Sequence, residues 1–222
     1  MAPIGLEFTP ASPAQGLWLT NTGDRELRAQ ARVFHWTQVD GKDELAPTQA
    51  LVASPPMLSL APGGRQLVRV IRTGGSAPAG AGEDAFRVLI DELPQAEQAQ
   101  NSSLQYVLRY SVPVFIGGAN PPDETVVGAA LHWSLVHEGS QVMLEVRNAG
   151  AYHAQISDVS LLPASGEAIV LSPGLLGYAL PGMTMHWPLK PPANAAGADV
   201  KLKARINGKS VDQVFAVGDL PR

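Results

Sequence analysis

The chain has 222 residues, 45% of them hydrophobic and 16% charged, which leaves enough apolar material for one large or two ordinary cores. A net charge of -4, with 16 scattered Lys and Arg, gives no basic footprint for nucleic acid and no polybasic tract for an anionic membrane surface. No apolar run approaches the ~20 residues of a membrane-spanning helix, and the absence of cysteine excludes thiol catalysis, disulfides and cysteine-held metals.

The N-terminus carries no basic segment followed by an apolar run, so any secretory signal is read as already removed. The 22 Gly and 19 Pro punctuate short apolar runs, the pattern of many strands joined by turns. In chain order the first half predicts strands at Leu17 to Thr20, Ala29 to Gln38, Leu58 to Leu60, Gln66 to Arg72 and Ala85 to Glu92. Asp40-Gly41-Lys42-Asp43-Glu44 lacks the ligand spacing of a calcium loop and reads as a hairpin turn. Thr73 to Gly82 has Gly pairs but neither a Lys nor a following helix to cradle phosphate, and reads as a flexible loop.

After the polar stretch Gln95 to Ser103, which has no aromatic or β-branched residue, comes Leu104 to Ile116. Leu104, Tyr106, Leu108, Tyr110, Val112 and Val114 recur at every second position and would give one face of an extended strand a continuous apolar ridge. Pro113 lacks the N–H that a central strand donates, so its end of the strand is expected at an edge or bulge. Such a ridge is either the inner face of a sandwich strand or an edge that a partner uses, since an uncovered apolar edge invites aggregation.

Gly117 to Asp123 is rich in Gly and Pro and reads as a linker dividing two domains, residues 1–117 and 118–222. The second series of strands is Leu131 to His137, Gln141 to Arg147, Ala154 to Leu162, Met183 to Leu189, Val200 to Ile206 and Ser210 to Ala216. The halves echo each other. Leu17-Trp18-Leu19-Thr20-Asn21-Thr22-Gly23 parallels Leu144-Glu145-Val146-Arg147-Asn148-Ala149-Gly150, and Leu60-Ala61-Pro62-Gly63 parallels Ala179-Leu180-Pro181-Gly182. No stretch holds a long helical period, so the expected class is all-β: two immunoglobulin-like sandwiches of similar plan.

Chemistry is sparse. His35, His132, His137, His153 and His186 show no metal-ligand spacing, and no Gly-x-Ser-x-Gly elbow supplies a serine nucleophile. We therefore expect no enzyme, no cofactor and no metal.

Three blocks in order change the reading from a generic sandwich to a family. They are Arg32-Val33-Phe34-His35-Trp36-Thr37-Gln38 with the continuation to Ser54-Pro55-Pro56; Leu60-Ala61-Pro62-Gly63-Gly64-Arg65-Gln66-Leu67-Val68-Arg69-Val70-Ile71-Arg72; and Phe86-Arg87-Val88-Leu89-Ile90-Asp91-Glu92-Leu93-Pro94, leading to Val112-Pro113-Val114-Phe115. Together they resemble the periplasmic chaperones of chaperone–usher pilus assembly, particularly the archaic branch serving spore-coat-protein-U-like subunits. The resemblance implies two immunoglobulin-like domains joined at an angle. It implies a periplasmic protein whose partners are fibre subunits and an outer-membrane usher, with self-association of the free chain open. It also implies that the strand is lent to a subunit lacking its own, a mode of β-strand addition, through Leu104, Tyr106, Leu108, Tyr110 and Val112.

The familiar basic pair of that family, an Arg on the first strand and a Lys on the lent strand, has no counterpart here. Ile4 to Pro10 contains no basic residue, and the Lys position falls on Pro113. Arg87, interrupting the apolar run Phe86 to Ile90, is the first candidate to anchor a subunit carboxylate, with Arg109 second. Arg87 reads equally as an outward arginine or a partner of Asp91 or Glu92. The other class open to the sequence is an adhesive or carbohydrate-binding module, which would need Trp18, Trp36, Trp133 and Trp187 on an exposed platform. A third, a self-polymerising fibre subunit, would need a donor peptide that is not evident.

Overall fold

In the computed structural model, residues 1–74, 82–94, 107–117, 122–139, 141–162, 167–189 and 201–216 are described. The chain divides into two compact units, Met1–Thr37 with Leu45–Ala119, and Gln38–Glu44 with Asn120–Arg222. Each is a β-sandwich of the immunoglobulin type.

In the first unit one sheet runs β1 (Leu6–Phe8), β9 (Arg109–Ile116), β8 (Asp84–Glu92), β3 (Leu27–Val39) and β4 (Lys42–Pro47), with β6 (Met57–Leu60) also on β3. The facing sheet is β2 (Ala14–Thr20), β7 (Arg65–Arg72) and β5 (Leu51–Ser54). Alternation decides which side chains are inside: Phe86, Val88 and Ile90 of β8 and Val112, Val114 and Ile116 of β9 pack against Leu17, Leu19, Val68 and Val70.

The second unit pairs a sheet of β10 (Leu131–Glu138), β11 (Gln141–Asn148) and β14 (Thr184–Leu189) with one of β13 (Ile169–Ala179), β12 (Ala154–Leu162), β15 (Lys201–Ile206) and β16 (Lys209–Ala216). Leu144, Val146, Ile156, Val159, Leu161 and Leu202 form its core. Trp187 lies so close to Gly177 that a Cβ there would sit 2.8 Å from the indole, which makes glycine the residue that fits.

The internal echo has a structural cause. Asn21, 3% exposed, donates from Nδ2 to the carbonyls of Arg25 and Leu60 at 2.6 and 2.9 Å and accepts the Gly23 N–H at 3.0 Å. Asn148, fully buried, donates to the carbonyls of Tyr152 and Ala179 at 2.8 and 2.9 Å and accepts the Gly150 N–H at 2.9 Å. Each amide thus closes its own turn and bolts it to the Pro-Gly turn of a neighbouring strand, where Gly63 and Gly182 hold φ of 71° and 73°.

The Asp40-Gly41 turn is the expected hairpin: both residues have positive φ, 49° and 73°, the geometry whose twist matches a two-residue hairpin. Elements the sequence reading did not list are β1, β4, β5, β13 and the short helix α1 (Glu124–Ala129), which Asp123 caps by accepting the Thr125 N–H at 2.8 Å. β4 is exposed at every position and offers no alternation to read. β13 is broken by Pro173 and by Gly174 at φ 71°, opposite irregular pairing in β12.

The tryptophans form no common platform. Trp36 and Trp133 are 1% and 9% exposed and Trp187 is half-buried. Only Trp18, with Arg65 stacked 4.0 Å over it, reaches solvent substantially.

Candidate functional site

β9 is two strands in one. Its C-terminal part lies between β8 and the three-residue β1, in parallel register Leu6 to Val114 through Phe8 to Ile116. From Arg109 to Pro113 it pairs with β8 alone among the described residues. The expectation for Pro113 therefore needs correcting: the end that follows it is central, and the open edge precedes it. Pro113 sits where β1 begins, its carbonyl 3.8 Å from the place a Gly5 Cβ would occupy. In an extended strand a residue's N and O point the same way, so the missing N–H faces the edge and β8 loses no donor.

The apolar ridge divides at the same place. Val112 and Val114 are 1% and 0% exposed, part of the unit's own core, whereas Tyr110 and Leu108 are 43% and 51% exposed. Val112 is thus withdrawn from the group of lent side chains, because its surface is already used. Leu104 and Tyr106 lie outside the described residues. Leu108 and Tyr110 form one wall of an apolar pocket at the end of the sandwich, whose floor is Leu19, Leu27, Leu60 and Ile90.

On the opposite, outer face, register brings the charged residues together. Arg87 is the cross-strand partner of Pro113, and its guanidinium carbon lies 3.6 Å from the ring centre of Trp36, which in turn packs 6.0 Å from Phe115. Arg109 is opposite Asp91, and its Nε donates to Asp91 Oδ1. Arg32 of β3 donates to the other oxygen of Asp91 at 2.7 Å. Burial works against ionisation of Asp91, yet the bonds from Arg32 and Arg109 outweigh it and hold the carboxyl below its ordinary value. Asp91 is therefore engaged with Arg32 and Arg109, while Arg87 is stacked on an aromatic ring. Four residues of strand, about 13 Å, separate the two candidate anchors, so they are alternatives and not a pair.

The second unit holds another cluster that spacing along the chain did not show. His186 has Nδ1 3.1 Å from Glu138 and Nε2 3.0 Å from Glu145, which also accepts the Ser134 hydroxyl at 2.8 Å. These residues come from three strands, and only their register unites them. Among the described residues, no group of three or more His, Cys, Asp and Glu is arranged to hold a metal ion.

Comparison with solved structures places the fold among chaperones of fibre assembly. The CsuC–CsuE chaperone–tip adhesion subunit pre-assembly complex, from the archaic chaperone–usher Csu pili of Acinetobacter baumannii, matches with 24% identity and a TM-score of 0.68, over 93% of this chain and 92% of that one. The CupB2 chaperone of Pseudomonas aeruginosa matches with 16% identity and a TM-score of 0.66, over 97% and 98%. The SafA pilin–SafB chaperone complex of Salmonella enterica matches with 18% identity and a TM-score of 0.63, over 96% and 91%. No curated protein matches the sequence. Residues 2–121 match the pili and flagellar-assembly chaperone PapD N-terminal domain, and residues 127–207 match the C-terminal domain of the PapD pili assembly chaperones. With both domains matched in order, the chain belongs to the PapD family and is a pilus-assembly chaperone.

Proposed function

We propose that this chaperone works in the periplasm, in the archaic branch of the pathway. It holds fibre subunits that lack a final strand by lending them the segment Leu104 to Ile116, then passes them to an outer-membrane usher. The observation that carries the reading is the state of Leu108 and Tyr110: two large apolar side chains, two residues apart and half exposed, on a strand whose outer edge has no partner from Arg109 to Pro113 among the described residues. A subunit strand laid there would complete the ladder, while Leu104, Tyr106, Leu108 and Tyr110 fill its open core. Relatives whose complexes contain a pilin or a tip adhesion subunit support the same class of partner.

Arg87 is the favoured anchor for the subunit's terminal carboxylate. It faces Pro113, the position that the family resemblance assigns to a lysine, so a guanidinium from the neighbouring strand replaces an ammonium from the lent one. Stacking on Trp36 orients the guanidinium, whose planar fork matches the geometry of a carboxylate. No nucleotide is needed, because one strand's burial is exchanged for another's.

Co-expression with pilin-like proteins tests the reading. A one-to-one complex that depends on Leu108 is expected. A chain that captures none of them, or captures them equally well as Leu108→Ala, removes the donor-strand reading. Tryptophan fluorescence that responds to sugars instead would favour the adhesive module.

A further inference from the structure

The two acidic residues that close β8 hold Arg109, the first residue of β9, and Leu108 just before it, each by a different group. Asp91 takes the side chain of Arg109 on one oxygen and that of Arg32 on the other, so a single carboxylate on the middle strand ties the strands on both sides of it. Its side chain is 12% exposed, so water competes little for either bond. Glu92 takes the backbone. Its N–H donates to the Leu108 carbonyl at 2.9 Å, and its carboxylate accepts the Leu108 N–H at 3.3 Å. Leu108 precedes the first residue of the strand, so the Glu92 side chain satisfies an amide that another backbone carbonyl would take if the ladder continued.

These bonds fall between the two exposed ridge residues. Arg109 points to the outer face and is anchored there, which turns Leu108 and Tyr110, its neighbours on either side, to the opposite face. On the outer edge nothing among the described residues supports this part of the strand, because β1 begins only opposite Val114. Its extended conformation and the phase of its ridge therefore depend on β8 and on the Arg32–Asp91–Arg109 clasp.

We propose that Asp91 is a positioning residue for subunit capture: the clasp orders the leading end of the lent strand before a subunit arrives and fixes which residues face it. This rests on the donor-strand reading. An edge that is already extended spares the subunit the entropy of ordering it, so the clasp acts on the rate of capture more than on the lifetime of the complex.

The test uses the whole chaperone and the subunit recovered by co-expression, unfolded in urea and diluted into chaperone. Asp91→Asn is expected to accelerate amide exchange at Leu108 to Val112 in the free chain and to slow capture about tenfold. Dissociation of the formed complex should change less than twofold. Arg109→Gln, which spares the Arg32–Asp91 bond and the buried carboxylate's charge partner, should slow capture similarly, and Arg109→Lys should restore most of the rate. If amide exchange is unchanged in Asp91→Asn and Arg109→Gln, or capture by both proceeds at the wild-type rate, the proposal is overturned. Leu108→Ala in the same assay separates the two levels. Its loss of capture with normal capture by both Asp91→Asn and Arg109→Gln removes only the clasp, whereas undiminished capture by Leu108→Ala removes the donor-strand reading itself.

Discussion

Arg87 and Pro113 are direct partners across the β8–β9 ladder, so the basic group that interrupts the apolar run Phe86 to Ile90 stands beside an uncharged position of β9. If a subunit carboxylate docks there, Arg87→Ala and removal of the subunit's terminal carboxylate, by amidation, should each weaken binding, and the double change should cost little more than one. A coupling of about 1.5–3 kcal/mol is expected for a charge-assisted bond. Additive losses, measured by calorimetry on the four combinations, would assign Arg87 to the structure of the sandwich and not to the subunit.

The divided ridge predicts a divided mutational response. Leu108→Ala should leave the melting temperature nearly unchanged and weaken subunit binding, by about 1.5–3 kcal/mol if the side chain becomes fully buried. Val112→Ala should do the reverse first, destabilising the chaperone by about 2 kcal/mol through a core cavity. Thermal unfolding and complex recovery on the same preparations distinguish the two.

Asn21 and Asn148 are expected to be costly to lose for the same reason in each unit. Replacing either by Ala removes two donors from carbonyls, one of them buried, and one acceptor from a turn N–H. The expected penalty is about 2–3 kcal/mol, read from urea unfolding. Aspartate should be no better, because an oxygen would replace the amide nitrogen and face those carbonyls.

The clasp should also be legible in acid. Because the folded-state value of Asp91 is lowered, its ionised form stabilises the fold above the unfolded carboxyl's value of about 3.9, and this contribution is lost as pH falls through the lowered folded-state value. The difference in melting temperature between wild type and Asp91→Asn should accordingly be largest near neutrality and shrink in strong acid. A difference that stays constant from neutral pH to strong acid would show that the carboxylate's charge contributes nothing.

Much of this was readable from residues alone. A short apolar run revealed β8, alternation revealed β9, and the paired Asn-x-Gly and Pro-Gly turns revealed two units of one plan, because these signals are local. The Arg32–Asp91–Arg109 clasp was not readable: the Asp91–Arg32 bond spans 59 residues of sequence, and strand register, which no local pattern encodes, brings it about. For the same reason Arg87 could be singled out as an arginine in an apolar run, while its stacking on Trp36 could not. The ridge was seen whole because periodicity cannot tell where a core ends and an open edge begins. That boundary is set by the length of β1, three residues whose pairing no composition signal announces.

The second unit includes Gln38–Glu44 from the β3–β4 hairpin. Gln38 is 4% exposed; its amide donates to the Tyr178 carbonyl at 2.8 Å and accepts the Leu180 N–H at 2.8 Å, and Gly41 bridges to Met185 beside His186. Genetic exchange of the second half between relatives would therefore separate residues that form one structural unit. A chimera joined in the Gly/Pro-rich stretch would receive a foreign Tyr178–Leu180 edge against its own hairpin, so recombination at that natural-looking seam favours partners that already agree at a position 140 residues away.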